Sequence, residues 1–377
     1  MEQTNTIPPA VVVTMSYSGL ALARSLAKKG VKVYAVAGSK NEVGMSSRYV
    51  KSIVAPNIIK SEKDTVKFLL ELAGSIGEKA VLFPTGDAIV LPISRNREIL
   101  EKYYKFLMPK PEVVEKLVSK NGLSEVIEEK KLPGPFAKVI MNKNELESMG
   151  ENITYPVLMK PAYSASWYLA EMVNLIGVRK VIVIENKKEL EEWYNKVSPL
   201  DPRVILQELI PGEDANLYYV CGYYNKEGKL EAIFAGQKLR VTPIHFGSAS
   251  FVKSVYDEEL FRATSELLEP LGYKGLFGVE FKKDIRDGKY KIIEVNVRWG
   301  LWDGLARRCG IDLGYLAYAR EVGLSYTVNP QYRTGVSWLC FRRDLDAFLD
   351  YKKEGRLGFF PWIKSFLGET EQAAKKL

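Results

Sequence analysis

Short apolar runs alternate with amphipathic stretches along this chain, the pattern of an α/β fold. Ala10–Met15 (AVVVTM) is continuously apolar, as expected of a parallel strand buried on both faces. Leu20–Lys29, closed by Gly30, has helical periodicity, and Val31–Ala37 reads as the next strand. The turn Ser16-Tyr17-Ser18-Gly19 places hydroxyls at the helix start, where an anion could be held. Only Gly19 remains of a G-x-G-x-x-G fingerprint, so dinucleotide binding and dehydrogenase chemistry are not expected. A helix at Asp64–Gly74 and a strand at Ala80–Phe83 lead into Pro84-Thr85-Gly86-Asp87. Asp87 lies past the carboxyl end of that strand, where ligands of open sheets gather, and is equally placed to cap the next helix. Prolines in Met108-Pro109-Lys110-Pro111 then close a first domain.

Beyond them, Val113–Lys130 reads as one charged helix, followed by strands at Phe136–Ile140, Tyr155–Lys160, Val181–Ile184 and Val204–Leu206. Leu217–Tyr224 and Leu230–Ala235 form a hairpin, and Lys238 and Arg240 alternate along the strand that follows. His245-Phe246-Gly247-Ser248 is a loop and Asp257–Leu271 a helix. Leu276–Asp303 then reads as two strands joined at Arg286-Asp287-Gly288. A three-residue loop ending in Gly sets a register with Glu280 opposite Glu294, and Gly278 opposite Asn296 leaving open space. The second strand alternates strictly: Ile293, Val295 and Val297 on one face, Glu294, Asn296 and Arg298 on the other. Two carboxylates, a carboxamide and a guanidinium on one patch suit a hard cation carrying a phosphate chain; a solvated edge face is the bland alternative. Asp312 caps a helix that runs to Val322 and ends at Gly323. The tail Val336–Phe366, rich in aromatics and basic residues, reads as a helix packed on the core, with peripheral membrane attachment as the alternative.

Composition narrows the partners. At 377 residues, 46% hydrophobic and 27% charged, the chain is a globular protein of two or three domains. No apolar run reaches membrane-spanning length and the N-terminus lacks a signal pattern, so a cytoplasmic protein without stable membrane insertion is expected. Cys221, Cys309 and Cys340 form no C-x-x-C pair, which suits a reducing compartment. His245 is the only histidine, which removes multi-histidine metal sites. A net charge of +8 favours acidic partners, but no nucleic-acid motif is present, and a phosphate-bearing small molecule is the better reading.

In order and spacing, these motifs resemble the ATP-grasp superfamily from Glu112 to Leu324, preceded by a Rossmann-like domain. The resemblance implies an α/β (α+β) fold: residues 1–108 a Rossmann-like domain, 109–325 an ATP-grasp domain with its lid at about 136–206, and 326–377 a C-terminal extension packing on the core. A nucleotide cleft is expected between lid and base. Lys120, after Ser119 where the family has an Asp, and Lys160 match its phosphate-binding lysines. Ser164 stands in a lid loop, Tyr163–Ser166, that departs from the glycine-rich version. Gln207–Ile210 is similar to the adenine-binding segment, with backbone groups of Glu208 and Ile210 and the Gln207 side chain in contact. Asp214, or its neighbour Glu213, stands at the ribose position. Glu280, Glu294 and Asn296 match the magnesium ligands, for two Mg²⁺ ions with Mn²⁺ as a substitute. Arg298 matches an arginine that stabilises an acyl phosphate, and Lys238 and Arg240 are implied near the γ-phosphate.

The activity so implied is an ATP- and Mg²⁺-dependent carboxylate–amine ligase joining small-molecule carboxylate and amine substrates, with a homodimer as a candidate assembly. Trp299 and Trp302 depart from the carbamoyl-phosphate-synthase large chain and either wall a larger organic substrate or pack a helix start. Ser18, Asp87, His245 and Asp303 complete the substrate candidates. The alternatives are a carbamoyl-phosphate-synthase-like kinase acting on bicarbonate or carbamate, and an inactive nucleotide-binding regulator or adaptor.

Overall fold

A computed structural model describes residues 7–149, 153–162, 167, 170–177 and 181–373. Near the N-terminus lies a parallel sheet of β1 (Ala10–Val13), β2 (Val33–Ala37), β3 (Lys51–Val54), β4 (Ala80–Pro84) and β5 (Tyr104–Lys105), in the order β3-β2-β1-β4-β5. Every residue of β1, β2 and β4 is buried, which explains their unbroken apolar runs. The first helix spans Tyr17–Lys28, so Ser18 and Gly19 lie inside its first turn. The second lies at Glu62–Ile76, capped by the Ser61 hydroxyl.

The charged stretch expected as one helix is two, Pro111–Val118 and Lys120–Glu129. Ser119 is extended between them and its hydroxyl accepts from the Gly122 N–H, so it caps the second helix. Lys120 is thereby placed at a helix start, an effect that periodicity alone does not reveal.

A four-stranded antiparallel sheet follows: β6 (Ala137–Ile140), β7 (Val157–Pro161), β8 (Ile182–Ile184) and β9 (Val204–Glu208), in the order β6-β9-β7-β8. The remaining strands are β10 (Leu217–Tyr224), β11 (Leu230–Thr242), β12 (Ser248–Val255), β13 (Gly275–Lys283), β14 (Tyr290–Asn296), β15 (Ser337–Leu339) and β16 (Thr370–Gln372). They form one sheet in the order β14-β13-β10-β11-β12-β15-β16. The segment beyond residue 325 is thus more than an extension, since β15 and β16 extend that sheet.

The β13–β14 hairpin pairs Glu280 with Glu294 and Gly278 with Asn296, the register read from the sequence, but for a different reason. Asp284 and Lys289 close the turn, which makes the loop four residues, and the register then slips between Glu280 and Phe281. The longer loop and the bulge cancel. The bulge also breaks the strict alternation: Ile292 joins Val295 and Val297 in the core, and Ile293 faces the cleft. Nor is there open space over Gly278. A Cβ there would sit 1.7 Å from the Tyr219 hydroxyl, so glycine is needed to seat that phenol.

Candidate active site

Between the four-stranded sheet and the seven-stranded sheet lies a cleft of about 320 Å³. Its floor is β10, β11, β13 and β14; the end of β7, the segment after β9 and the loop 243–248 form its walls. Lys120, Lys160, Gln207, Glu208, Ile210, Lys238, His245, Glu280, Glu294, Asn296, Arg298, Asp87 and Trp302 all line it. Residues from many separate stretches of chain therefore meet here.

On the floor, Glu280 and Glu294 stand directly opposite each other on paired strands. Glu294 reaches solvent through the cleft mouth but is otherwise enclosed, and burial together with the Glu280 charge raises its carboxyl above the usual range. The Lys238 ammonium lies 2.5 Å from Glu280 and supplies a positive charge to this pair. Among the described residues no three His, Cys, Asp or Glu side chains cluster as a self-sufficient metal cage. Two repelling carboxylates beside the Asn296 amide, partly neutralised by a lysine, nonetheless fit Mg²⁺, which takes few carboxylates and completes its shell with phosphate and water.

Two lysines approach from the opposite side. The Lys160 ammonium donates to the Gln207 side-chain oxygen at 2.7 Å. Burial, and next the neighbouring charge of Lys120, lowers its pKa to about 8. Glu208 uses its backbone N–H on Phe136 (2.8 Å), while its carboxylate pairs with Arg286. Its N–H is thus not left over for an adenine edge.

Arg298 makes a bidentate pair with Asp87, at 2.6 and 2.8 Å, and also donates to the Trp299 carbonyl. Burial opposes its charge, but the Asp87 carboxylate holds it protonated. Asp87 is the first residue of the helix Asp87–Arg95, and its carboxylate serves the cleft instead of capping that helix, whose cap position is Gly86.

Several expected site residues lie elsewhere. Arg240 is buried in a bidentate pair with Asp344 and packs over the Phe251 ring, 4.2 Å from its centroid. The register of β11 slips between Lys238 and Arg240, so Lys238 pairs with Val252 and Arg240 with Phe251, on opposite faces. Asp214 is also buried, its carboxylate accepting from the His245 N–H (2.9 Å) and the Tyr351 hydroxyl (2.5 Å), so it does not face the cleft as a ribose contact. Glu213 pairs with Arg356.

Ser18 is buried against Ser16 and the Thr85 carbonyl, away from the cleft. Trp299 packs in the core and donates to the Ser18 carbonyl at 3.1 Å; Trp302 belongs to the same core cluster and also lines the cleft. Ser164 lies outside the described residues.

Tyr219 was not singled out in the sequence. It lines the cleft, pairs across strands with Glu280 and meets Trp302 edge-on at 4.9 Å. The β10 alternation and this pairing were the available signals. Its hydroxyl is buried with no hydrogen-bond partner, and Asp303 is next to it under Gly300.

Asp303 is 1% exposed and accepts the Gly300 N–H at 2.6 Å. Burial pushes its carboxyl up to about 7. Because an unfolded aspartate releases its proton near ~4, this group lowers folding stability as pH rises from there to about 7, and the loss is complete above 7. Asp303→Asn keeps an acceptor for Gly300 and is expected to remove that slope, on the order of a few kcal/mol at most. Urea unfolding from pH 5 to 8 checks this; parallel stability curves for the two proteins would contradict it.

No protein-family model matches the chain. D-aspartate ligase of Enterococcus faecium (strain Aus0004) is 26% identical over 326 residues, covering 82% of this chain and 76% of that protein. N5-carboxyaminoimidazole ribonucleotide synthetase in its ADP complex superposes with a TM-score of 0.65 at 18% identity, over 86% of this chain and 80% of that one. Biotin carboxylase from Campylobacter jejuni, in complex with a β,γ-ATP ligand, gives 0.67 at 15% identity, over 88% and 74%. The chain has the ATP-grasp fold of these solved structures. L-amino acid ligase from Bacillus licheniformis shares the ATP-grasp fold too, with a TM-score of 0.64 at 15% identity over 85% of this chain and 75% of that one.

Proposed function

We propose that this chain is an ATP- and Mg²⁺-dependent carboxylate–amine ligase that joins an amino acid or peptide through an acyl phosphate. One observation carries the reading. The directly paired Glu280 and Glu294, with Asn296, share a cleft with Lys120, Lys160, Lys238 and Arg298. The relative named for D-aspartate and the structural neighbour named for L-amino acids favour an amino-acid substrate.

Glu280, Glu294 and Asn296 would hold Mg²⁺, which when bound neutralises charge on the triphosphate. Lys120 and Lys160 meet the phosphates as point charges on flexible stems. Adenine lies along Gln207–Ile210, with Ile210 giving backbone contact and Gln207 a side-chain contact.

A substrate carboxylate oxygen attacks the γ-phosphorus; the O–P bond forms as the bond to the β-phosphate oxygen breaks, and ADP leaves. Arg298, held by Asp87, faces the charge of the acyl phosphate and of the tetrahedral adduct. The amine lone pair then attacks the acyl carbon, phosphate departs with the C–O electron pair, and the amine loses its proton. Trp302, Tyr219 and His245 bound the organic substrate. Protein chemistry here is positioning and electrostatics.

Incubating the protein with ATP, Mg²⁺, hydroxylamine and pools of amino acids tests the reading. Hydroxamate with ADP is expected; AMP and pyrophosphate would replace it with adenylation. Lys160 binds phosphate as an ammonium, so ATP affinity should weaken as pH rises through about 8. In kcat/KM for ATP, Lys160→Met should lack this alkaline limb; an unchanged limb would remove Lys160 from the phosphate site.

A further inference from the structure

The C-terminal helices Phe341–Lys353 and Phe359–Lys364 leave an apolar face uncovered. Of the exposed large hydrophobic residues among the described ones, seven fall between positions 341 and 367: Phe341, Leu345, Leu349, Phe359, Phe360, Ile363 and Leu367. The other eleven are scattered over the rest of the described chain. Phe341, Leu345 and Leu349 recur every fourth residue, so they form a stripe along one side of their helix. Phe359, which opens the second helix, contacts the buried Phe348 of the first (6.2 Å) and the exposed Phe360 (5.8 Å). Phe360 is 82% exposed and Leu367 77%.

These helices are firmly held. Asp344 is fully buried and accepts four hydrogen bonds, two from Arg240 and one each from Ser250 (2.9 Å) and Trp362 (2.9 Å). Trp362 stacks on Phe348 at 4.4 Å. The apolar residues therefore stay outside a well-packed hub, and contiguous patches of this kind mark interaction sites.

Charge says what covers it. Asp344, Asp350 and Glu354 are neutralised by Arg240, Lys353 and Arg356, and Asp346 is the exposed acid of these helices that, among the described residues, has no cation within ion-pair distance. Arg342, Lys352 and Lys364 are exposed and, among the described residues, have no acid within ion-pair distance. A symmetric contact between two copies would set one net-positive face against another, at an electrostatic cost. An anionic surface would instead gain from these cations.

We infer that this face is a peripheral docking surface for an anionic lipid bilayer, with the aromatic and leucine side chains entering the interface and Arg342, Lys352 and Lys364 meeting lipid phosphates. No helix of the described residues is long and apolar enough to cross a membrane, so the contact lies on the surface.

Full-length protein should float with vesicles of phosphatidylcholine containing about 30 mol % phosphatidylglycerol, weakly with phosphatidylcholine alone, and less at high salt. Phe360→Ser with Leu367→Ser, and separately Lys352→Gln with Lys364→Gln, should each lower vesicle affinity at least about tenfold. Both pairs lie outside the cleft, so circular dichroism and ATP turnover in solution should stay at wild-type level. Absence of flotation with anionic vesicles would overturn the inference. So would a wild-type dimer that Phe360→Ser with Leu367→Ser makes monomeric without any lipid effect, because the face would then be a self-association surface.

Discussion

Glu294→Gln is expected to cut ATP-dependent turnover by about a thousandfold while the protein remains folded. The substitution preserves shape and removes one of two carboxylates that face each other on the cleft floor. Folding should tolerate it well. Burial and Glu280 raise the Glu294 carboxyl, so its charged form is disfavoured in the folded state and is costliest above the ordinary carboxylate range. Losing the charge should leave the melting temperature at neutral pH unchanged or higher. Catalysis should suffer because the lost charge is what would hold the cation against the triphosphate. Activity is to be read as ADP release and folding as circular dichroism on the same preparation. Wild-type turnover in the variant would remove Glu294 from the metal site, and a collapsed fold would contradict the charge argument.

The second large effect concerns stability and sits outside the cleft. Asp344→Ala should destabilise the protein by about 3–5 kcal/mol, because it strands the buried Arg240 guanidinium. It also leaves Ser250 and Trp362 without their acceptor. Replacing both charges, Arg240→Met with Asp344→Leu, should recover much of this loss, since a buried pair exchanged for apolar groups can be close to neutral. Urea unfolding of the two proteins measures the difference. If Asp344→Ala unfolds within about 1 kcal/mol of wild type, the buried hub has been misread. The same comparison separates structure from catalysis: Arg240 makes no contact with the cleft, and the double variant should retain turnover per folded molecule.

Much of the site was legible because it rests on local rules. Alternation along β14 put Glu294, Asn296 and Arg298 on one face, and hairpin pairing put Glu280 opposite Glu294. The pairing was reached through a turn one residue too short and without the bulge, two errors that cancelled. Along β11 the same rule failed. Lys238 and Arg240 are two apart and should share a face, yet a register slip divides them between the cleft and the buried hub. Bulges depend on strand partners, and the partner here, β12, joins β11 on one side and β15 on the other only in the folded sheet.

The sequence by itself determined most of the strands and helices around the cleft and the acidic and basic positions along β13 and β14. Local periodicity, turn residues and side-chain type are enough for that, because each acts over a few neighbouring residues. Only the tertiary structure decided which charges meet. Asp87 and Arg298 stand 211 positions apart and form one bidentate pair. Asp214 turns inward because Tyr351, far along the chain, donates to it. Trp299 and Trp302 are both buried in the same core cluster, and of the two Trp302 also lines the cleft, beside a turn held by Asp303. Long-range pairing follows from how sheets and helices stack, and in a cleft assembled from many stretches of chain that stacking decides which side chains face it.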